Sequence, residues 1–185
     1  MHDYIRLQSG RKFRYHKPRA QDIDIEDIAH NLSNLCRFTG ASKRFFSVAE
    51  HCVNCCDHAP EGHEFALLMH DSSEALCSDV NTILKRLIPQ YKAIELRVEQ
   101  VIARKYHLPF PNDPVVKDGD MRMLKTEMAH LRPGDDADDL PGMPFRLKLA
   151  CWTPAKARRE FLKRFNWLTS SGPRRNALDI TPHSH

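Results

Sequence analysis

A histidine and an aspartate stand side by side in an apolar stretch of the sequence, at His70 and Asp71. They follow the run Phe-Ala-Leu-Leu-Met, and polar groups next to such a run are costly to bury unless they have partners. Glu74 comes four residues after His70 and three after Asp71, which on a helix places it on the same face. An imidazole beside carboxylates can hold a metal ion or transfer a proton.

Two further candidate ligands lie upstream and downstream of this pair. His51 follows the segment 47–50, whose Ser and Glu form a capping box that starts a helix. Asp120 lies in a later helix, on the face where the apolar residues recur. Asp118 competes for the same role, but the apolar spacing favours Asp120. Two imidazoles and two carboxylates form a set of two nitrogens and two oxygens that can hold a divalent ion and leave positions for water and substrate.

The elements that must position these residues are predicted to be helices, because apolar residues recur at three- and four-residue spacing. The fold class is therefore all-α. Residues 1–21 are predicted to be an irregular segment with Gly10 and Pro18 as breakers, and no convincing strand is evident. The segment over 63–77 is apolar nearly all round and is predicted to be the buried central helix. The predicted helices cover about residues 24–39, 47–58, 63–77, 89–106, 113–131 and 153–168.

The length of 185 residues favours one domain, which we place over residues 22–168. Residues 132–152 are rich in Asp, Pro and Gly and are predicted to form a long loop, a candidate lid or partner surface. Residues 169–185 are predicted to be a disordered tail. The tail histidines, His183 and His185, are therefore not expected to be ligands.

Composition excludes several classes of protein. Hydrophobic residues make up 41% and charged residues 28%, which is ordinary for a globular protein. No run of about 18 apolar residues exists, so no transmembrane helix and no membrane partner are expected. The first residues lack the apolar core of a secretory signal, and we expect a cytoplasmic protein.

The cysteines are expected to be reduced thiols rather than a disulfide framework, because no export signal accompanies them. Cys52, Cys55 and Cys56, with His58 beyond, superficially suggest a zinc knuckle. A structural zinc site needs four ligands and usually a second ligand pair, and none is evident. Cysteines buried in a helix are the better interpretation.

Basic residues cluster near the start of the chain, in the segment 11–19 with Phe13 and Tyr15 interleaved, and the net charge is +4. Such a segment is compatible with an anionic ligand or with the phosphate backbone of a nucleic acid. A solvated surface is the simpler interpretation. A nucleic-acid-binding module is therefore a rival function from a different class.

The ordered set of candidate residues resembles the H…HD…D pattern of HD-superfamily phosphohydrolases. The similarity covers about residues 22–168 and is greatest to the small bacterial 5′-deoxynucleotidases and their phage relatives, which include dATP triphosphohydrolases. The resemblance implies an HD-domain helical bundle. The matching strings lie at 47–51 (SVAEH), 70–74 (HDSSE), 78–79 (SD) and 117–120 (KDGD).

The resemblance also implies a role for individual residues. The metal ligands would be His51, His70, Asp71 and Asp120. The carboxylates that transfer a proton or orient water would be Glu74 and Asp79. The residues that bind substrate would be Arg37, Phe38 and Lys85, although the deoxynucleotidases have Trp where this chain has Phe38.

Mixed imidazole and carboxylate ligands favour Mn²⁺, Co²⁺, Fe²⁺, Ni²⁺ or Zn²⁺ over Mg²⁺ alone, while a second ion such as Mg²⁺ could enter with the substrate. The expected activity is hydrolysis of a deoxynucleotide. Release of triphosphate from dATP is the first choice, and dephosphorylation of dNMPs is the alternative. A degenerate scaffold kept for protein interaction is disfavoured by the complete ligand set. The resemblance further suggests a homo-oligomer, a dimer or a hexamer, located in the host cytoplasm if the gene belongs to a phage.

Overall fold

The computed structural model describes residues 2–132, 134 and 137–170, and it confirms the all-α fold class. A small hairpin of β1 (Ile5–Arg6) and β2 (Lys12–Phe13) precedes the helices. Single 3₁₀ turns lie at Ala20–Asp22 and Ala137–Asp139, and a turn that contains left-handed residues lies at Arg37–Gly40. The helices are α1 (Ile25–Asn34), α2 (Val48–Asp57), α3 (Glu64–Met69), α4 (Glu74–Cys77), α5 (Thr82–Leu87), α6 (Pro89–Tyr106), α7 (Pro114–Leu131) and α8 (Pro154–Ser170).

The two longest of these helices begin where the sequence predicts, because proline fixes the first turn. Pro89 and Pro114 occupy the first helical position of α6 and α7, where the missing N–H costs nothing. Asp113 caps α7 by accepting a hydrogen bond from the backbone N–H of Val115. The predicted bounds of 89–106 are therefore confirmed, and the helix predicted over 113–131 begins one residue later, at Pro114.

The prediction of one continuous helix over 63–77 is wrong. The chain leaves α3 after Met69, turns through residues 70–73 and re-enters a helix at Glu74. Bonds of the tighter i→i+3 type form here, from the N–H of Ser72 to Met69 and from the N–H of Glu74 to Asp71. Serine also favours turns over helix interiors. The break falls at the predicted functional pair, and it changes the direction in which each side chain points.

The first helix also ends earlier than predicted, at Asn34 rather than near residue 39. The following residues are extended, and Cys36 forms an isolated antiparallel bridge with Ser47. The backbone N–H of Arg37 then bonds to the carbonyl of Phe46. These long-range backbone bonds replace the helical ones that the apolar spacing predicts.

The N-terminal segment is more ordered than predicted, because residues 5–13 form an antiparallel hairpin that the sequence does not suggest. The register pairs Ile5 with Phe13 and Arg6 with Lys12. Phe13 is fully buried in the core. The turn is fixed by Ser9, whose N–H and hydroxyl both donate to the carboxylate of Asp27 in α1, at 2.8 and 2.6 Å.

Other segments agree with the sequence only in part. The described residues of 132–152 form the predicted loop, with one 3₁₀ turn in it. Helix α5 was not predicted as a helix. Residues 169 and 170 belong to α8, and the rest of the predicted tail, 171–185, lies outside the described residues.

The centre of the core is α2 rather than the predicted helix over 63–77. Eight of its ten residues are buried, and it packs against α1, α3, α7 and α8. Within the described residues, no helix combines the length and apolar character needed to cross a bilayer. The fully buried large apolar side chains include Phe13, Ile28, Leu32, Leu67, Leu68, Met123 and Phe161.

Candidate metal centre

His51 is held in the first turn of α2, at the centre of the core. Ser47 caps this helix, and its hydroxyl accepts the N–H of Glu50 at 3.1 Å, as the capping box predicts. The carboxylate of Glu50 does not complete the box, because its two oxygens accept the N–H groups of Cys151 and Trp152 at 2.8 and 2.6 Å. This buried carboxylate therefore ties the start of α2 to the segment that leads into α8.

Asp120 reaches the same region from α7, which approaches α3 closely at a glycine. A Cβ atom added to Gly119 would lie only 3.0 Å from a methyl carbon of Leu67 in α3. Asp118, the competing candidate, lies on the outer side, where its side chain is 64% exposed and pairs with Arg122. The structure therefore directs Asp120 and not Asp118 toward the histidines.

The four predicted ligands meet in one cluster. The Nε2 atoms of His51 and His70 are 3.2 Å apart. Asp71 Oδ2 lies 3.6 Å from the Nε2 atom of His51 and 3.3 Å from that of His70, and Asp120 Oδ1 lies 3.4 and 3.8 Å from the same two atoms. Donors about 2.1 Å from one ion, at octahedral or tetrahedral angles, are roughly 3.0–3.4 Å apart. The cluster therefore has the size of a metal coordination shell.

The hydrogen bonds of the two Nδ1 atoms determine which nitrogen of each histidine is free to bind a cation. His51 Nδ1 lies 2.7 Å from Glu127 Oε1, and His70 Nδ1 lies 2.8 Å from the carbonyl oxygen of Leu67. Because these acceptors need an N–H, each neutral ring carries its proton on Nδ1 and turns the Nε2 lone pair toward the other ring. Metal-binding histidines almost always have such a partner on the second nitrogen. The residues present thus fit a bound cation.

The protonation behaviour of the cluster supports the same conclusion. Burial acts to lower the pKa of His70, but Asp71 and Asp120 outweigh it and hold the pKa well above its ordinary value. Burial acts to raise the pKa of Asp120, but the two histidines outweigh it and lower the pKa. The carboxylates thus require either extra protons on the rings or a cation between them.

Two buried thiols lie against this cluster. Cys55 Sγ is 3.6 Å from His51 Nε2. Donor atoms of His51, Cys55 and His70 lie within 4.8 Å of one another, and so do those of Cys52, His70 and Asp71. Burial raises the pKa of Cys52 to about 11. The protein therefore contains a buried cluster of His, Cys and Asp residues that could bind a metal ion.

Arg37 and Glu127 form a buried ion pair behind the histidines. Arg37 Nε lies 2.9 Å from Glu127 Oε2, although the N–H does not point along this contact as a hydrogen bond requires. Arg37 Nη1 lies 3.7 Å from Asp71 Oδ2. The predicted substrate-binding arginine is thus also a neighbour of the candidate ligands, and it is only 7% exposed.

Phe38, the second predicted substrate residue, sits in a backbone turn of unusual conformation. Its φ of 57° and the φ of 56° at Thr39 lie in the left-handed region, which side chains other than glycine rarely adopt. The guanidinium carbons of Arg37 and Arg132 lie 5.4 and 5.5 Å from the centre of its ring. The ring therefore lies within cation–π distance of two guanidinium groups, one of which belongs to Arg37 beside the candidate ligand Asp71.

The third predicted substrate residue, Lys85 of α5, lies in a carboxylate network. Its Nζ atom is 2.7 Å from Glu95 Oε1 and 3.7 Å from Glu74 Oε1. Glu74 is 8% exposed, and its Oε2 atom is buried with no hydrogen-bond partner among the described residues. Burial, with the charges of Asp71 and Asp79, holds the pKa of Glu74 well above its ordinary value.

Asp79, the other predicted acid–base residue, follows the turn that ends α4. Burial raises its pKa, while the charge of Arg37 acts in the opposite direction. Tyr91 of α6 fixes this turn, because its hydroxyl lies 3.0 Å from the carbonyl oxygen of Cys77 and 2.9 Å from that of Ser78. Glu74, Asp79 and Lys85 therefore lie on the side of the cluster where α4, α5 and α6 meet.

Comparison with known proteins gives a relationship over almost the whole chain. No model of a protein family matches this sequence. The chain is 41% identical over 170 residues to the uncharacterised protein YfdR of Escherichia coli K12, which covers 90% of this chain and 96% of YfdR. The chain belongs to the YfdR family.

A second relative matches a smaller part of this YfdR-family chain. The chain is 31% identical over 114 residues to the uncharacterised protein RCAP_rcc00048 of Rhodobacter capsulatus, which covers 56% of this chain and 58% of that protein. Because both relatives are uncharacterised, the function proposed for the YfdR-family chain depends on its own residues.

Several residues of the candidate site in this YfdR-family chain were not predicted as functional. Glu127 had a signal, since it follows Asp120 by seven residues and therefore lies on the same face of α7 after two turns. Cys55 had a similar signal, four residues after His51 on α2. The contact of Glu127 with His51 joins residues 76 positions apart, and spacing along the chain gives no indication of it.

Proposed function

We propose that this protein is a divalent-metal-dependent phosphohydrolase of the HD type that acts on deoxynucleotides. One observation carries the proposal. The Nε2 atoms of His51 and His70 lie 3.2 Å apart, with oxygens of Asp71 and Asp120 3.3 to 3.8 Å away from them. The order of these residues along the chain is the H…HD…D order of the HD superfamily.

The proposed metal is Mn²⁺, Co²⁺, Fe²⁺, Ni²⁺ or Zn²⁺, because a set of two imidazoles and two carboxylates suits these ions better than Mg²⁺. His51, His70, Asp71 and Asp120 would hold it. A bound ion supplies positive charge that offsets the charge of a phosphate group and acidifies water. A second ion such as Mg²⁺ would enter with a triphosphate substrate.

Glu74 is the proposed proton acceptor. Its Oε2 atom is buried and has no hydrogen-bond partner among the described residues, so one lone pair remains available. Its other carboxylate oxygen faces Lys85 at 3.7 Å, which fixes the orientation of the group. A carboxylate in this position can take a proton from an attacking water or hold that water in line with the leaving group. Asp79 is the alternative acceptor.

Arg37 and Lys85 would offset the charge that develops on phosphate oxygens, because phosphoryl transfer depends on positioning and charge neutralisation more than on covalent chemistry. Phe38 would contact the sugar or base. We propose dATP as the substrate, with deoxyadenosine and triphosphate as products, since the basic segment 11–19 could contact a long anion. Hydrolysis of dNMPs by the same groups is the alternative.

Product analysis tests this proposal directly. The full-length protein is incubated with Mn²⁺ or Co²⁺ and each of the four dNTPs and four dNMPs, and the products are separated by ion-exchange chromatography. Triphosphate from dATP is expected. Orthophosphate from monophosphates alone would replace the triphosphohydrolase with a 5′-deoxynucleotidase, and no metal-dependent product from any substrate would refute the enzymatic proposal.

The chain offers a matched pair of variants for the same assay. Asp120→Asn removes a candidate ligand and is expected to abolish activity, by at least about a hundredfold, since the donor set loses a charge. Asp118→Asn makes the same chemical change two residues away, at a side chain that is 64% exposed. This variant is expected to keep wild-type activity. Equal loss in both variants would contradict the assignment.

The N-terminal hairpin supports a second candidate function, the binding of nucleic acid. Arg6 and Lys12 face each other in the hairpin register, an arrangement that like charges destabilise. The ring of Tyr4 lies 4.8 Å from the Lys12 ammonium and 5.5 and 5.9 Å from the guanidinium carbons of Arg14 and Arg6. A polyanion would neutralise this concentration of cations.

A fluorescence polarisation assay with single-stranded DNA separates this candidate from the enzyme. A nucleic-acid-binding module should show affinity that falls steeply with salt and is lost in Lys12→Ala. It should be indifferent to a chelator and to Asp120→Asn. Absence of salt-dependent binding at low ionic strength would eliminate this candidate.

The proposal extends to a homo-oligomer, a dimer or a hexamer, in the cytoplasm where deoxynucleotides are found. Ile83 and Leu87 of α5 support it, because they are large apolar side chains that are 75% and 74% exposed. Light scattering on the purified protein tests this part, and a monomer at all concentrations would contradict it.

A further inference from the structure

A cavity of about 120 Å³ lies between α6 and the proline-rich loop that follows it. Its lining includes His70 and Ser73 on one side, Leu96 and Glu99 of α6, and Phe110 and Asn112 of the loop. An apolar cavity of about 150 Å³ is large enough for benzene. The cavity beside α6 is smaller than that but opens to solvent, so it suits one edge of a planar ring system whose remainder lies over the mouth.

The cavity adjoins the candidate metal centre through His70. This residue belongs to the candidate ligand cluster and also lines the cavity. Glu99 lies one turn after Glu95 on α6, and Glu95 Oε1 is 2.7 Å from the Nζ atom of Lys85, a proposed phosphate-binding residue. A ligand whose phosphate groups lay at the centre would therefore have its other end within reach of the cavity.

The mouth of the cavity is apolar, although it faces solvent. Leu96 and Phe110 are 44% and 42% exposed. Large apolar side chains around a concave site are typical of ligand pockets, where they pack on the flat face of an aromatic ligand. The walls thus favour a planar ligand over a sugar or a further phosphate.

The polar group inside the cavity is a carboxylate. Glu99 lines the cavity together with Ser73, which belongs to the turn that carries His70. A carboxylate accepts hydrogen bonds from several directions, so acceptor capacity remains toward the cavity. Acidic side chains recognise the exocyclic amino group of a base, as they do with the amino group of cytosine.

We propose that this cavity is the base-binding subsite, and that it selects a nucleobase with an exocyclic amino group, such as adenine or cytosine, over thymine. The inference rests on the proposed function in one respect, namely that the phosphate groups of the nucleotide bind at the candidate metal centre. The base lies against Leu96 and Phe110 and donates its amino hydrogen to Glu99. Thymine presents a carbonyl oxygen at the corresponding position, and that oxygen repels the carboxylate.

Equilibrium binding tests the subsite without hydrolysis. Deoxyadenosine, deoxycytidine and thymidine, which carry no phosphate, are titrated into the full-length protein and followed by ligand-observed NMR. The two amino-bearing nucleosides are expected to bind about tenfold more tightly than thymidine, the difference made by one hydrogen bond to a charged group. Equal binding of all three, or no binding, would overturn the inference.

Variants locate the binding to this cavity. Glu99→Gln keeps the side-chain volume and is expected to remove most of the preference for amino-bearing nucleosides over thymidine. Phe110→Ala is expected to lower the affinity for all three nucleosides about tenfold. Arg97→Ala, on the exposed side of the same helix, is the matched control and should bind as the wild type does. Unchanged binding in both cavity variants, with melting temperatures that show intact folding, would contradict the assignment.

A kinetic measurement separates this inference from the proposed function. In an active enzyme, Glu99→Gln and Phe110→Ala should raise KM for dATP and leave kcat nearly unchanged. Hydrolysis of an abasic deoxyribose 5′-triphosphate, which has the same scissile bond and no base, should not respond to either substitution. Activity with dATP that neither variant alters would refute the subsite and leave the phosphohydrolase intact. Nucleoside binding that depends on Glu99, in a protein without hydrolytic activity, would support the subsite and refute the phosphohydrolase.

Discussion

His51 and His70 turn their Nε2 atoms toward each other at 3.2 Å, while the Nδ1 atom of each ring is bound to an acceptor elsewhere. Two imidazole lone pairs at this distance repel each other unless a proton or a cation lies near both. The rings come from α2 and from the turn after α3, so the packing of separate elements maintains the contact. A divalent cation would relieve the repulsion and stabilise the fold.

Metal binding should therefore raise thermal stability. A ligand that binds only the native state at a hundred times its dissociation constant adds about 2.7 kcal/mol to the free energy of unfolding. We expect the melting temperature, measured by circular dichroism, to rise with Co²⁺ or Mn²⁺ and to fall again with a chelator. His70→Ala should abolish this response, whereas His58→Ala, at the exposed end of α2, should keep it. A response that survives in His70→Ala would place the metal elsewhere.

Glu127→Gln should weaken metal binding without removing a ligand. The carboxylate of Glu127 accepts the Nδ1–H of His51 at 2.7 Å, and mutation of such a partner typically lowers metal affinity about 10- to 100-fold. The amide oxygen of Gln can still accept this bond but carries no charge, so a loss toward the lower end of that range is expected. The variant also removes the nearer of two carboxylates that face the buried guanidinium of Arg37 and leaves Asp71 at 3.7 Å, so stability should fall by less than the roughly 3–5 kcal/mol typical of a buried charge left without a partner. Metal titration by calorimetry measures the first effect, and urea unfolding measures the second.

The double variant Arg37→Gln/Glu127→Gln distinguishes these two effects of Glu127. Because it removes both charges of the pair, it should be more stable than the sum of the single variants predicts. It should still bind metal weakly, since the partner of His51 remains altered. Recovery of both stability and metal affinity in the double variant would show that Glu127 acts only as a counter-ion.

The long helices could be predicted because local signals determine them. Proline and apolar spacing fix the starts of α6 and α7, and the same spacing distinguishes Asp120 from Asp118. The turn at 70–73 could not be predicted, because the string around His70 and Asp71 has the apolar pattern of a continuous helix. Only packing against α2 and α7 shows that a break at this point brings both side chains to one centre.

Sequence patterns also could not predict the residues that surround the candidate ligands. The contact between His51 and Glu127, the bonds from Glu50 to the segment before α8 and the cavity beside His70 all join distant parts of the chain. The hairpin was missed because each strand is only two residues long. Alternation over two residues gives no statistical signal, and the burial of Phe13 depends on the rest of the core.

The cysteines should react with thiol reagents in an order that burial determines. The thiolate is the reactive form, and burial raises the pKa of Cys52 to about 11 and that of Cys56 to about 12. At pH 8 less than about one in a thousand of these thiols would be ionised. Cys36 and Cys151, which are only half-buried, should be labelled before Cys52 and Cys56, whereas burial raises the pKa of the half-buried Cys77 to about 12 and slows its reaction.

Mass spectrometry after timed labelling with iodoacetamide measures this order. The double variant Cys36→Ser/Cys151→Ser should remove the fast phase and leave Cys52 and Cys56 unmodified until the protein is unfolded. Rapid labelling of Cys56 in the folded protein would show that α2 is less protected than its burial indicates.

Tyr91→Phe should lower kcat while metal affinity stays the same. The hydroxyl of Tyr91 contacts the carbonyl oxygens of Cys77 and Ser78, and the next residue is Asp79. Ser78 has a φ of 73°, so its backbone lies in a region that needs support from its surroundings. Without the hydroxyl the turn should relax, moving Asp79 relative to substrate, and stability should fall by about 1 kcal/mol.

Tyr106→Phe is the matched control, because the buried Tyr106 hydroxyl has no hydrogen-bond partner among the described residues. That variant should keep full kcat and wild-type or slightly higher stability. Since a purely structural role for Tyr91 would lower stability and leave kcat per folded molecule unchanged, steady-state kinetics combined with urea unfolding decides between the two roles.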